Sequence, residues 1–142
     1  MRKSIVFVSI VFAVFCLFPG CSNSRIPSLP QDAQEIPICD YTNPENPDDS
    51  FANCVEYGGR LFVLYGTQSK TIDGRIIKEC VGYIDNDSDN RIYTLFDTGD
   101  YIASYYTSGI MEQFTFLRAV DTRGKDIYTP DYISDLGYDL WK

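Results

Sequence analysis

The chain predicts a mainly β fold, a small antiparallel sheet or partly closed barrel of about five to six strands with one short C-terminal helix. An α+β arrangement is the alternative. Three observations carry this. From residue 51 onward, short runs rich in Val, Ile, Tyr and Phe recur, each bounded by Gly, Asp or Asn. Apolar residues alternate along several of them with the period of two that a pleated strand imposes. Two of the boundaries, Gly58-Gly59 and Asp73-Gly74, are dipeptides that accept the positive φ of tight hairpin turns.

Taken in order, Cys54 to Tyr57 and Arg60 to Tyr65 flank Gly58-Gly59 as a hairpin, and Leu61 to Tyr65, apolar on both faces, reads as a central strand. Arg75 to Ile84 is a third strand, with Ile76, Cys80 and Ile84 expected on one face and Ile77, Val81 and Tyr83 on the other. Arg91 to Phe96, Tyr101 to Thr107 and Gln113 to Val120 follow, the last with Phe114, Phe116 and Val120 expected on one face and Leu117 and Ala119 on the other. Thr129, Pro130 and Asp131 have the grammar of a helix start: hydroxyl cap, proline in the first turn, and an acid beside the positive end of the dipole. Tyr132, Ile133 and Leu136 supply an apolar face, Gly137 a stop. Trp141 reads as a lid on the core.

The start of the chain is of another kind. Met1-Arg2-Lys3 is basic, Ile5 to Phe18 is largely apolar, and Pro19-Gly20-Cys21 closes the run, the layout of an export signal. The run falls short of the roughly 20 residues that a bilayer-spanning helix requires. Leu17-Phe18-Pro19-Gly20-Cys21 resembles the lipobox of bacterial membrane lipoproteins, in which a cysteine after a small residue is acylated and becomes the new N-terminus. Gly20 and Cys21 match it; Phe18 and Pro19 stand where that family has Leu and a small or hydroxyl residue. The resemblance covers the signal alone. It implies palmitate-type acylation of Cys21 and a protein anchored by lipid to the cell membrane or outer membrane, on the extracytoplasmic side. Ordinary secretory cleavage around Ser22-Asn23-Ser24 is the alternative. The expected organisation is therefore a signal peptide over 1–20, a Pro/Asp/Asn-rich tether over 21–50 containing Pro27, Pro30, Pro37, Pro44 and Pro47, and a single domain over 51–142.

Composition excludes more than it includes. The formal net charge is −8, and loss of Arg2 and Lys3 with a signal makes it more negative, so nucleic acid is an improbable partner. There is no histidine, which removes Ser-His-Asp and Cys-His nucleophile systems and HExxH zinc sites. Eleven tyrosines, apolar in body and polar at the tip, suit a half-covered sheet or a binding surface. Beyond Cys21 the chain has Cys39, Cys54 and Cys80, enough for one disulfide; the pairing is not written in the sequence, and Cys39 with Cys54, which encloses a short loop, is favoured, with three reduced thiols as the alternative.

Asp85, Asp87 and Asp89 fall at alternate positions, as in the first half of an EF-hand calcium loop, and are the ligands to test for Ca2+. Asn90 and Phe96 occupy the positions that need Gly and Glu, so a solvated acidic turn explains the segment better. Asp97-Thr-Gly stands alone where an aspartic protease needs two such aspartates. Glu56, Glu79, Asp97, Asp100 and Glu112 are the carboxylates from which a glycosidase pair would have to come.

With no catalytic constellation, the leading expectation is a non-catalytic, surface-tethered binding or interaction module of the cell envelope, with no cofactor and with an envelope protein or glycan as partner. The second is an inhibitor of a basic envelope-attacking enzyme such as lysozyme. Cys54-Val-Glu-Tyr-Gly-Gly-Arg-Leu-Phe-Val63 and Ile92-Tyr-Thr-Leu95 are loosely similar to the lysozyme-inhibitor lipoproteins, whose Ser-Gly-x-Arg-Tyr type loop is missing here. A carboxylate-dependent hydrolase is third.

Overall fold

The structure, a computed structural model, describes residues 26–68, 73–108, 113–137 and 141. The fold is mainly β, one curled antiparallel sheet that forms a half-barrel. Its strands are β1 (Ile38–Thr42), β2 (Ser50–Tyr57), β3 (Arg60–Gln68), β4 (Ile77–Ile84), β5 (Asp87–Leu95), β6 (Tyr101–Tyr106) and β7 (Phe114–Ala119). They lie in the order β1-β2-β3-β7-β6-β5-β4. Single 3-10 turns stand at Gly74–Ile76 and Val120–Thr122.

Of the two expected hairpin dipeptides only Gly58-Gly59 joins paired strands; Asp73 instead caps the 3-10 turn Gly74–Ile76, and β3 and β4 are not neighbours in the sheet. Gly58 and Gly59 have φ of 59° and 74°, the two positive values of a type I′ connection between β2 and β3. Asp85 and Asn86 do the same between β4 and β5, at 60° and 53°, which side chains that bond locally tolerate better than most. Arg91 to Phe96 was expected to start the next strand; pairing instead begins at Asp87, opposite Ile84. The face assignment along β4 also changes. Ile77 and Cys80 join one core cluster while Val81 and Ile84 join the other, because the β4:β5 register slips between Ile77 and Glu79, Cys80 and Gly82, and Tyr83 and Ile84. Each slip inverts the parity on which simple alternation depends.

The half-barrel is closed by the segment expected to be tether. Without β1 the sheet would end at β4 and β2, and residues 34–42 reach both. Ile36 N–H donates to the Tyr83 carbonyl at 2.7 Å and Tyr83 N–H to that of Gln34 at 3.4 Å. One residue later the Pro37 carbonyl accepts from Glu56 N–H at 2.9 Å, and β1 then runs antiparallel to β2. The backbones approach so closely that a Cβ on Gly82 would stand 2.6 Å from the Gln34 carbonyl oxygen. Pro44 and Pro47 lie in the β1–β2 loop, held by Asn43 Nδ2 donating to Asp49 Oδ2 at 3.1 Å and by the backbones of Asn43 and Asp49. Proline here shapes a turn within the domain rather than a spacer outside it. Residues 1–25, with the signal peptide and Cys21, lie outside the described residues.

Two apolar layers result. On the face where the sheet closes, Ile36 meets Val55, Phe62, Ile84, Ile92, Ile102 and Leu117, so that β2 to β7 all contribute. The other face carries Tyr65, Tyr93, Tyr101, Phe114 and Phe116 under a cover made by Ile133, Leu136 and Trp141, with Ile26 and Leu29 beside them. That cover is not the expected helix. Thr129–Gly137 makes two successive turns, Ile133 N–H to the Pro130 carbonyl at 3.0 Å and Leu136 N–H to the Ile133 carbonyl at 3.1 Å. Thr129, expected to cap the helix, instead places Oγ1 2.8 Å from the Tyr101 hydroxyl. A segment this short does not repay helix nucleation, and burying Ile133 completely decides its path. Trp141 is the lid expected of it: its indole N–H donates to the Leu64 carbonyl at 2.9 Å, and Arg118, buried and bonded to Thr122 and the carbonyls of Thr122 and Lys125, stands 4.8 Å from its ring.

Replacing Gly82 with Ala should separate residues 34–36 from β4 and destabilise the domain by about 2 kcal/mol. Gly99→Ala, where an added Cβ meets nothing within 4 Å, is the control. Thermal unfolding with amide exchange at Ile36 reads both; equal behaviour of the two variants would contradict the closure.

Candidate functional site

At one end of the closed face a groove of about 520 Å³ opens between β2–β3 and the β5–β6 connection. Its floor is Phe62 and Ile102, both buried, with Thr94 and Tyr57 at the sides. Lys78, Glu79 and Asp97 stand around it. Phe96 rises at the rim with 67 % of its surface exposed. Its backbone is pinned by Phe96 N–H donating to the Ile76 carbonyl at 3.0 Å, so the ring is left uncovered by the fold.

The wall behind Phe96 is positioned by Arg60, the first residue of β3. Its Nε and Nη2 form a fork on the Asp121 carboxylate at 3.0 and 2.6 Å, Nη2 also reaches Asp100 at 2.9 Å, and Nη1 donates to the Gly99 carbonyl at 2.9 Å. Planar guanidinium geometry suits this three-way grip. Its hydrogen bonds hold the Asp121 carboxyl below the usual carboxylate range and push the Arg60 guanidinium further up. Asp97 accepts from the Tyr132 hydroxyl at 2.7 Å; burial, then this carboxylate, raises the Tyr132 phenol far above its ordinary value. The loop 97–100 is thus fixed from both sides, to β3 by Arg60 and to the cover segment by Tyr132.

A second hollow, of about 490 Å³, lies between the β1–β2 loop and Arg123. Its walls are Asn43, Asn46, Asp48 and Tyr41, and Arg123 is paired within it to Asp49. Arg123 and Asp49 neutralise each other there, whereas the Phe96 groove has an apolar floor and polar groups at its rim, the usual make-up of a ligand site.

The candidates named from sequence are distributed as follows. Glu79 and Asp97 share the Phe96 groove. Asp100 is held by Arg60, Glu56 lies on β2 opposite Leu61, and Glu112 is outside the described residues. Asp85, Asp87 and Asp89 serve the β4–β5 turn: Asp85 accepts from Asn90 Nδ2 at 3.0 Å, Asp87 from the Asp89 backbone at 2.9 Å, and Asp89 from Thr107 Oγ1 at 2.9 Å. Among the described residues no group of three His, Cys, Asp or Glu side chains is arranged to hold a metal ion. Cys39 and Cys54 are directly opposed on β1 and β2, and Cys80 is buried in the tyrosine-rich layer; all three are thiols in the structure. Arg60 and Phe96 were not singled out from sequence. Nothing local marks Arg60, whose carboxylate partners lie 40 and 61 residues away. Comparison with family models, with curated proteins and with solved structures returned no match.

Arg60→Ala should cost about 1 kcal/mol at neutral pH, modest because the pair is partly exposed. The contribution of Asp121, whose folded value is depressed, is present above the ordinary carboxylate pKa of about 4 and is lost as pH falls through the lower folded value. Urea unfolding at pH 7 and pH 3 should therefore show the wild-type advantage shrinking in acid; an unchanged advantage would sink the clamp.

Proposed function

We propose that this protein is a non-catalytic binding module of the cell envelope, anchored through acylated Cys21, with the Phe96 groove as its binding surface. The observation that carries the reading is Phe96 itself, 67 % exposed beside a floor of Phe62 and Ile102. An aromatic ring next to an apolar floor accepts an aliphatic or aromatic side chain of an envelope protein, or stacks on a sugar face, while Lys78, Glu79 and Asp97 orient it.

The folded arrangement alters the expected spacing from the membrane. Ile26 already packs on the core, so from Cys21 the chain has only about 17 Å of reach. The domain then rides close to the bilayer rather than at the end of a long tether, and its partner is one that is found there.

A second reading, inhibition of a basic envelope-attacking enzyme such as lysozyme, is favoured by the net charge of −8 and by two carboxylates at the groove. Charge of that sign would speed encounter with a cationic enzyme.

The test uses the intact protein and Phe96→Ala. Replacing an exposed ring should leave the melting temperature unchanged and weaken capture of an envelope partner roughly tenfold. Equal capture by both forms would exclude the groove. A lysozyme assay in parallel separates the two readings: unchanged lysis removes the inhibitor.

A further inference from the structure

Cys39 of β1 and Cys54 of β2 face each other in the antiparallel register. Residues so opposed have Cα atoms about 4.5–5.5 Å apart and side chains on one face, inside the range of about 4.4–6.8 Å that a disulfide spans. The pair sits beside an irregularity: the register slips between Cys39 and Tyr41, and Asn53 has φ of 57°. A bulge of this kind lets the backbone re-aim a side chain. The two thiols differ in access, since Cys54 is fully buried among Phe51, Val63 and Val120 while Cys39 is only partly covered. Cys80 lies in the other layer, against Tyr93, and so is no competitor.

We propose that Cys39 and Cys54 are a dithiol–disulfide pair whose oxidation fastens the closing strand to β2. The oxidant is a disulfide, either of glutathione type or of an oxidoreductase. The accessible Cys39 thiolate attacks one donor sulfur, forming a mixed disulfide and releasing the first donor thiol. The Cys54 thiolate then attacks the Cys39 sulfur and expels the second. Two protein thiols lose two electrons and two protons, and the donor disulfide leaves as two thiols. Burial, and then the nearby Cys39, raises the Cys54 thiol, so the second step quickens as pH rises. The bond matters because β2 is the one strand that β1 pairs with among the described residues once the short contact of residues 34–36 with Tyr83 opens. A cross-link there limits how far the closing strand can leave. This holds whether or not the Phe96 groove takes a ligand.

The test is incubation of the full chain with glutathione disulfide at pH 8, then peptide mapping without reduction and amide exchange. The expected result is an intrachain bond joining Cys39 to Cys54, with Cys80 still a thiol. Exchange across Ile38–Thr42 should become at least about tenfold slower than in the dithiol form. In Cys39→Ser, Cys54 should remain unmodified. A bridge to any other cysteine, a lasting glutathione adduct on Cys39 without an intrachain bond, or unchanged exchange in the bridged protein would overturn the proposal.

Discussion

The hydrogen bond from Ile36 N–H to the Tyr83 carbonyl, 2.7 Å long, is the contact on which the rest of the structure depends. A curled sheet leaves two rows of unpaired backbone groups, one on each edge, and both must find partners or water. Here a single extended segment serves both, pairing first with β4 and, from Pro37 on, with β2. Because Ile36 enters the layer built by Val55, Phe62, Ile84 and Ile102, closing the edges and completing the core are one event. Only Gly at 82 permits the approach.

The opposite face is completed in a different way. The chain after Arg123 supplies its apolar cover and one hydroxyl partner: Ile133 and Leu136 against the rings, Thr129 against the Tyr101 hydroxyl. Arg118 joins sheet to cover without a carboxylate, using Thr122, two carbonyls and the Trp141 ring. The same cover reaches the groove, since Tyr132 holds Asp97. Site and core therefore share a wall, with Arg60 fixing its other end through Asp100 and Asp121.

Much of the sheet was legible in the sequence because its signals are local. Two glycines at 58 and 59 must turn, Phe62, Val63 and Tyr65 of the apolar run lie inside although Leu64 is exposed, and the alternation of Phe114, Phe116, Leu117 and Ala119 maps onto the two layers observed. What escaped was non-local. The closing segment hides in a proline-rich stretch because its partners lie elsewhere in the chain, β2 for β1 and Tyr83 for Glu35, and nothing in residues 34–42 alone requires a strand. The helix-like pattern at Thr129 failed because burial of Ile133 outweighed local propensity. Of the groove, Glu79 and Asp97 were candidates by type, but an exposed Phe96 looks in sequence like any strand phenylalanine. Only the fold shows that it lies uncovered.

The central claim is that residues 34–50 belong to the domain and close it. It is tested most directly by comparing the unfolding of two shortened chains, residues 26–142 and residues 51–142. Closure by the 34–42 segment predicts a cooperative thermal transition and dispersed amide resonances for the first, and neither for the second. Cooperative unfolding of residues 51–142 at the same temperature as the longer chain would contradict it.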